Sequence, residues 1–430
     1  MKAPSTKFTF KLRHSASSGT MLPFSDTRVL PDEVLATIFE HIVAIWEDDQ
    51  DHDFTALGQT LKCLTVTCRN WREVALSTPR LWRNIYNADP GEGDWYSPED
   101  LSPEDSPTLA PTYTANSYRS VDAGAAYFSF ETCLRRSGVV PLRLYAEKSC
   151  GLCDLLIRLA ESKASERVYF IELRDFFRPL PEFDDDFDFN KLDYLHCPNL
   201  RSVAASSMGT ALFVDLYDML SFHPGIESLS LKNVWWAWGD MEARELPLLM
   251  PKLRDFKISH HQHSGFVKTF EMLRMPNLER LSIEKTYIEI SALPSLGAIV
   301  INQTFPLVNE VAIVGPLTTR DITNILDKAS NTETLQLRNG IYDDYEELFT
   351  RLEYRPWDEA VLCPNLRHIT LQRCPVTPHA VIAMAESRFE NNRPLISIAT
   401  LAEEWAQWPA EAINRLAAVA QVANFIPGTT

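Results

Sequence analysis

The sequence predicts an α/β protein. A small all-α unit near the N-terminus is followed by a repeat array with a parallel sheet on its concave face and helices outside. Three observations predict this. Residues 30–85 carry apolar side chains at helical spacing. From Cys197 onward a Pro-x-Leu-x-x-Leu-x-Leu unit returns at irregular intervals. Hydrophobic residues make up 45% of the chain, which suits a packed protein rather than a disordered one.

The helical unit reads in order. Pro31 can occupy a first helical turn, where its missing N–H costs nothing. Asp32 and Glu33 then place negative charge where the helix dipole favours it. Leu35, Ile38, Phe39 and Ile42 fall at i, i+3, i+4 and i+7 and form one apolar stripe. A second stripe runs through Leu61, Leu64, Cys68, Trp71 and Ala75. Thr78-Pro79 ends that helix, because the residue before a proline avoids the α region. A third short element carries Leu81, Trp82 and Ile85. So small a unit buries a thin core and is marginal alone, so packing against a partner would cover what remains.

The order Leu30-Pro31-x-Glu33-x-Leu35-x-x-Ile38-Phe39, then Cys68-x-x-Trp71, then Leu81-Trp82, resembles the F-box family of ubiquitin-ligase receptors. The resemblance implies docking on a Skp-family adaptor, and through it on a cullin. The adaptor-binding residues it implies are Leu30, Pro31, Glu33, Leu35, Ile38, Phe39, Cys68, Trp71, Leu81 and Trp82. One departure is the long link from Ala44 to Phe54. Asp49, Asp51 and Asp53 alternate there as in a calcium loop. Phe54 stands where that loop requires glycine, and Thr60 where it requires a bidentate Glu, so the link reads as a solvated acidic loop.

Four segments are expected: a disordered basic tail over 1–22, the F-box over 23–86, a linker over 87–120 and the repeat domain over 121–425. The linker holds Ser97-Pro98, Ser102-Pro103 and Ser106-Pro107 without any periodicity. Those pairs serve either as turn starters or as phosphorylation sites.

Clear repeat copies begin at Pro198-Asn199-Leu200, Pro224-Gly225-Ile226, Pro251-Lys252-Leu253, Pro276-Asn277-Leu278 and Pro364-Asn365-Leu366. Weaker ones begin at Pro306-Leu307-Val308 and at Thr332, and degenerate ones at Pro141 and Arg167. The period, roughly 24 to 34 residues, lies near the leucine-rich-repeat range and runs past it. The Leu-x-Leu tail alternates as a short strand with one buried face. The stretches 212–220, 266–273 and 321–326 return the chain as helices, the last with Thr319 as a nearby cap. One unit cannot bury its own apolar edge, so units stack around a shared core. The residues expected on the concave side include Lys232, Lys257, Arg280, Ser282, Glu284, Gln336, Arg338, His368 and Gln372. That set is polar and mixed in charge, which suits a protein surface. Leu395 to Ile398 reads as the last strand. Pro409 to Val422, with Ile413, Leu416, Ala417 and Ala420 on one face, reads as a closing helix, and Trp405 and Trp408 cover the edge. Trp235, Trp236 and Trp238 serve either cap packing or a protein contact. The alternative fold is a generic α/β domain whose strands follow Pro-x-Leu.

Composition excludes several functions. The net charge of −17 argues against a nucleic-acid binder. No apolar run reaches the ~20 residues that a membrane span needs. The 8 cysteines fall mostly inside apolar patterns and do not form a secreted disulfide scaffold. Cys150-Gly-Leu-Cys153 lacks the second pair that zinc requires. His260, His261 and His263 lack a carboxylate or cysteine partner, and Asp184 to Asp188 reads as a solvated loop. Neither a metal nor a cofactor is expected. Serine-hydrolase, phosphate-loop and zinc-protease motifs are all missing, so no enzyme activity is expected.

The layout as a whole is similar to F-box proteins with degenerate leucine-rich repeats, of the kind expanded in mushroom-forming fungi. That resemblance implies a substrate-recognition subunit of a Skp-cullin-F-box ubiquitin ligase, working in the cytoplasm or nucleus on an unknown target protein. The alternative is a repeat-based interaction scaffold with a vestigial F-box.

Overall fold

The computed structural model describes residues 30–48, 54–87, 130–147, 158–174, 197–206, 216–217, 219–234, 247–260, 269–285, 303–340, 345–355 and 361–424. The basic tail, the Asp49–Asp53 link, the Ser-Pro segment, Cys150 and Cys153, Asp184–Asp188, the Trp235–Trp238 cluster and His261–His263 lie outside the described residues.

The N-terminal unit consists of α1 (Asp32–Asp48), α2 (Phe54–Val66), α3 (Arg69–Ser77) and a 3-10 turn over Pro79–Trp82. The stripe from Leu61 to Ala75, expected on one helix, is divided between two. Cys68 is the break. Its backbone is extended at φ −157° and ψ 169°, and its Sγ accepts from the Trp71 N–H as an N-cap. The apolar spacing carries across this break, which is why periodicity alone does not reveal it. Phe39, Leu81 and Trp82 are fully buried, and the Trp82 indole donates to the Ala75 carbonyl at 2.9 Å.

The strands are β1 (Asn84–Asn87), β2 (Leu142–Glu147), β3 (Val168–Arg174), β4 (Ser202–Ser206), β5 (Ser228–Lys232), β6 (Leu248–Leu249), β7 (Asp255–His260), β8 (Leu273–Arg274), β9 (Arg280–Lys285), β10 (Glu310–Val314), β11 (Thr334–Arg338), β12 (His368–Gln372), β13 (Ser397–Thr400) and β14 (Gln421–Asn424). Twelve form one parallel sheet in the order β1-β2-β3-β4-β5-β7-β9-β10-β11-β12-β13-β14, so each pairs with the next of the twelve along the chain. The short strands β6 and β8 pair with each other. Strand β1 already holds Ile85, so the sheet begins at once after the 3-10 turn. The closing helix expected over Pro409 to Val422 ends at Val419, and Gln421 and Val422 belong instead to strand β14. Its Gln-Val-Ala-Asn is too short and too polar to stand out by alternation.

Each Pro-x-Leu is a turn. The Leu200, Ile226, Leu253, Leu278, Val308 and Leu366 N–H groups donate to the carbonyls of Cys197, His223, Met250, Met275, Phe305 and Cys363 at 3.0–3.3 Å. Proline occupies the second turn position, for which its fixed φ is preset. The residues flanking each turn are buried, so it anchors the chain at both ends before the strand begins. The asparagines of Pro-Asn-Leu tie neighbouring turns together. Asn199 Nδ2 donates to the Glu166 carbonyl at 2.6 Å and Asn277 Nδ2 to the Pro251 carbonyl at 2.7 Å.

Within the sheet, Leu229, Phe256, Leu281, Val311, Leu335, Ile369 and Ile398 lie side by side in register and are buried. Helix α4 (Phe130–Arg136) precedes β2, and the later crossovers contain α5 (Thr319–Lys328), α6 (Glu346–Leu352), α7 (Pro378–Glu390), α8 (Ala402–Trp405) and α9 (Ala410–Val419). Their buried side chains belong to one hydrophobic cluster with the sheet. Thr318, not Thr319, caps α5. Its Oγ1 accepts from Asp321 N at 3.1 Å, and Thr319 takes the first helical position. Residues 269–272 are helical, but Leu273 and Arg274 are extended as β8. In α9 Leu416 is buried and Ile413 half-buried, whereas Ala417 is exposed. Trp405 and Trp408 meet edge to face at 4.9 Å, and the Trp405 indole donates to the Ala423 carbonyl of β14.

Gly315, directly after β10, has φ +95°, and a Cβ there would lie 1.9 Å from the Lys285 carbonyl oxygen. Gly315→Ala is expected to lower stability by about 1–3 kcal/mol. A urea midpoint equal to that of the unsubstituted chain would refute this.

Candidate functional site

Helix α1 carries two apolar stripes that are one residue out of phase. Leu35, Phe39, Val43 and Trp46 point inward and are buried. Val34, Ile38, Ile42 and Ile45 follow at the same spacing about 100° away, because 3.6 residues make a turn. With Leu30, these outer residues are 48% (Leu30), 42% (Val34), 42% (Ile38), 36% (Ile42) and 59% (Ile45) exposed. Single exposed aliphatics are ordinary, but four on one helix face, with Leu30 just before the helix, form an apolar surface.

The residues expected to bind an adaptor divide by position. Leu30, Pro31, Glu33, Ile38 and Cys68 are exposed, and Trp71 is half-buried against Phe39, with ring centroids 5.2 Å apart. Leu35, Phe39, Leu81 and Trp82 are buried and hold the outer face in place from within. Sequence reasoning placed Leu35 and Ile38 on one stripe and left out Val34 and Ile45. The repeated spacing of 34, 38, 42, 45 beside 35, 39, 43, 46 was the available signal.

The end of α1 lies over the start of the sheet. Trp46 meets Tyr145 of β2 edge to face at 5.7 Å, and Tyr145 meets Phe170 of β3 at 5.6 Å. The Glu47 carboxylate, whose side chain is 5% exposed, accepts from Arg83 Nε at 2.9 Å, Asn84 Nδ2 at 2.9 Å and Arg143 Nη1 at 3.3 Å, and also from Arg83 Nη2. Burial alone would raise the Glu47 pKa. The hydrogen bonds from Arg83 and Asn84 and the charges of Arg143 and Arg83 outweigh it, so the carboxyl is held below its ordinary value of 4.5.

Beyond β3 the same sheet face is polar. Register puts Ser228, Asp255, Arg280, Glu310, Thr334 and His368 in one row, and Ser230, Lys257, Ser282, Ala312, Gln336 and Thr370 in the next. Lys232, Ser259, Glu284, Val314, Arg338 and Gln372 form a third row. All nine residues expected on this face therefore lie on it. Several already bond to one another. Arg280 Nη2 pairs with Asp255 Oδ2 at 2.9 Å, Gln336 Nε2 donates to Glu310 Oε1 at 3.0 Å, and Arg338 Nη2 donates to Gln336 Oε1 at 2.6 Å. His368 Nδ1 stands 2.9 Å from Ser397 Oγ. Lys232 is exposed and Lys257 half-exposed. Among the described residues no cluster of three metal-ligating side chains occurs, and no helix is long and apolar enough to cross a membrane.

A search of curated proteins finds no match. Residues 27–88 match the F-box-like family model, a span that takes in α1 with its exposed stripe, α2, α3, the 3-10 turn and β1. The chain thus carries an F-box-like domain at its N-terminal end, and that domain points to adaptor binding of the Skp-cullin-F-box type.

Proposed function

We propose that this chain is the substrate-recognition subunit of a Skp-cullin-F-box ubiquitin ligase. The F-box-like domain docks on a Skp-family adaptor and through it on a cullin. The remaining chain is a leucine-rich-repeat-like solenoid whose polar sheet face holds a target protein. The chain makes and breaks no bonds itself. It acts by proximity, holding the target's lysines where ubiquitin is delivered.

The observation that carries this reading is the exposed aliphatic face of α1 inside the matched segment. Leu30, Val34, Ile38 and Ile42 cost free energy in water and gain it under a partner. The polar face over β4–β13 offers side chains of both signs, which gives a partner specificity more than raw affinity. The fold supports the solenoid reading through its sequential parallel strands and the turn that recurs before them.

The test is co-expression with a Skp-family adaptor. The unsubstituted chain is expected to co-purify. Val34→Asp/Ile38→Asp is expected to lose the adaptor by about a hundredfold or more, since burying an unpaired charge costs several kcal/mol. Both side chains are exposed, so the thermal midpoint is expected to stay unchanged. Leu35→Asp, by contrast, is expected to unfold the helical unit. A folded, soluble chain that never retains the adaptor would refute the proposal.

A further inference from the structure

The turns that precede the strands carry a second ordered row, along the sheet edge rather than on its face. The N–H groups of Glu227, Arg254, Glu279, Asn309, Glu333, Arg367 and Ile396 each donate to the carbonyl of the row member before, at 2.7–2.9 Å, starting from Arg201. Charges along the row neutralise one another. Arg201 Nε lies 3.5 Å from Glu227 Oε1, and Arg254 Nη1 lies 3.6 Å from Glu279 Oε1. In both cases the arginine is met by a glutamate on the following turn.

Arg367 is the exception. Its successor in the row is Ile396, which is 48% exposed. Glu333, on the turn before, forms no ion pair with it, and a second guanidinium lines the same groove, that of Arg393, lying over the Tyr354 ring at 5.8 Å. Both arginines are exposed, and among the described residues neither forms an ion pair. They line one groove of about 290 Å³ with Asn365, Asn392, Pro394 and Ile396. The groove therefore combines two guanidinium forks that form no ion pair among the described residues, side-chain amides and an apolar wall. A carboxylate supplied from outside would take the place that a glutamate fills on the earlier turns.

We propose that this groove binds an acidic peptide segment of a partner protein, with side-chain carboxylates on Arg367 and Arg393 and an aliphatic residue against Ile396 and Pro394. Guanidinium and carboxylate match as two parallel hydrogen bonds, which fixes direction as well as charge. The chain as a whole carries a net charge of −17, so it repels anions in general. Acidic peptides gain nothing from the bulk surface, and retention of one reports on a local site.

The test uses the full chain and an immobilised peptide library with two glutamates fixed beside a leucine and the other positions varied. Each peptide has a counterpart with glutamine at the fixed acids. Acidic peptides are expected to be retained at least about tenfold more tightly than their amides, or ~1.4 kcal/mol. The preference is expected to vanish in Arg367→Gln/Arg393→Gln and to weaken steeply with salt. The double variant is expected to keep the thermal midpoint and adaptor binding, since both side chains are exposed and lie on the turns before β12 and β13. Equal retention of acid and amide peptides, retention that survives the double variant, binding of phosphorylated peptides alone, or no retention at all would each overturn the proposal.

Discussion

Arg388→Met is expected to cost about 3–5 kcal/mol, among the largest losses open to a single side chain in this molecule. Arg388 is a charged residue with 0% exposure. Its guanidinium donates to four main-chain carbonyls: Leu352 from Nε at 2.7 Å, Leu362 and Cys363 from Nη2 at 3.1 Å and 2.9 Å, and Leu366 from Nη1 at 3.5 Å. It thereby joins the end of α6 to the turn that starts β12. Burial lowers its pKa to about 10, so the group is still charged at neutral pH. Methionine fills most of the volume but removes the donor from the Leu352, Leu362 and Leu366 carbonyls, Cys363 keeping the Leu366 N–H, and each buried unsatisfied group costs about 1–3 kcal/mol. Lysine is expected to recover only part of the loss, because a single ammonium cannot span the fork. Chemical denaturation measures the loss, and hydrogen exchange over residues 352–366 locates it. A Met variant within about 1 kcal/mol of the unsubstituted chain would show that the four bonds contribute little net stability.

Arg388 also marks what the sequence could not convey. Pro-x-Leu turns and alternating strand tails are local patterns, so the repeated strands and the nine residues of the polar face were legible from Cys197 onward. Contacts that join distant segments left no such trace. Arg388 reads as one more charge on an amphipathic helix, and Glu47 as one acid in an acidic stretch. The residue that closes four of the strands, β5, β10, β11 and β12, was equally silent. Asn233, Gly315, Asn339 and Arg373 all have φ between +52° and +95°, and the N–H groups of Asn233, Gly315 and Asn339 reach the next strand's carbonyl at 2.7 Å. Only glycine and asparagine hint at that conformation by type. On α1, the single stripe read from the sequence joins buried Leu35 and Phe39 to exposed Ile38 and Ile42. Apolar side chains cover so much of its circumference that one period cannot separate the core stripe from the exposed one.

Glu47→Ala is expected to release α1 from the sheet at a cost of about 3–5 kcal/mol, because it leaves two arginines without their buried counter-charge. The unit's own core of Leu35, Phe39, Leu81 and Trp82 is untouched, so the helical unit is expected to stay folded and merely to swing, weakening the contact of Trp46 with Tyr145. Acid should reproduce the effect. A carboxyl whose folded pKa is depressed adds stability that is fully present above its ordinary value of 4.5. That stability is lost as the pH falls through the lower, folded value. The unsubstituted chain should therefore lose stability more steeply as the pH falls from 4.5 through the folded value than Glu47→Gln, which has no proton to take up at that position. If the Glu47→Gln curve were as steep as that of the unsubstituted chain, Glu47 would not be the titrating group. For the proposed ligase the consequence concerns geometry rather than affinity. The exposed stripe proposed to meet the adaptor and the buried stripe that leads to Trp46 and Glu47 belong to one helix. A target on the polar sheet face is then held at a fixed distance from the adaptor. Glu47→Ala is expected to bind the adaptor as before, yet to transfer ubiquitin less efficiently to a target that still binds. Equal transfer by both proteins would mean that the junction stabilises the fold without directing delivery.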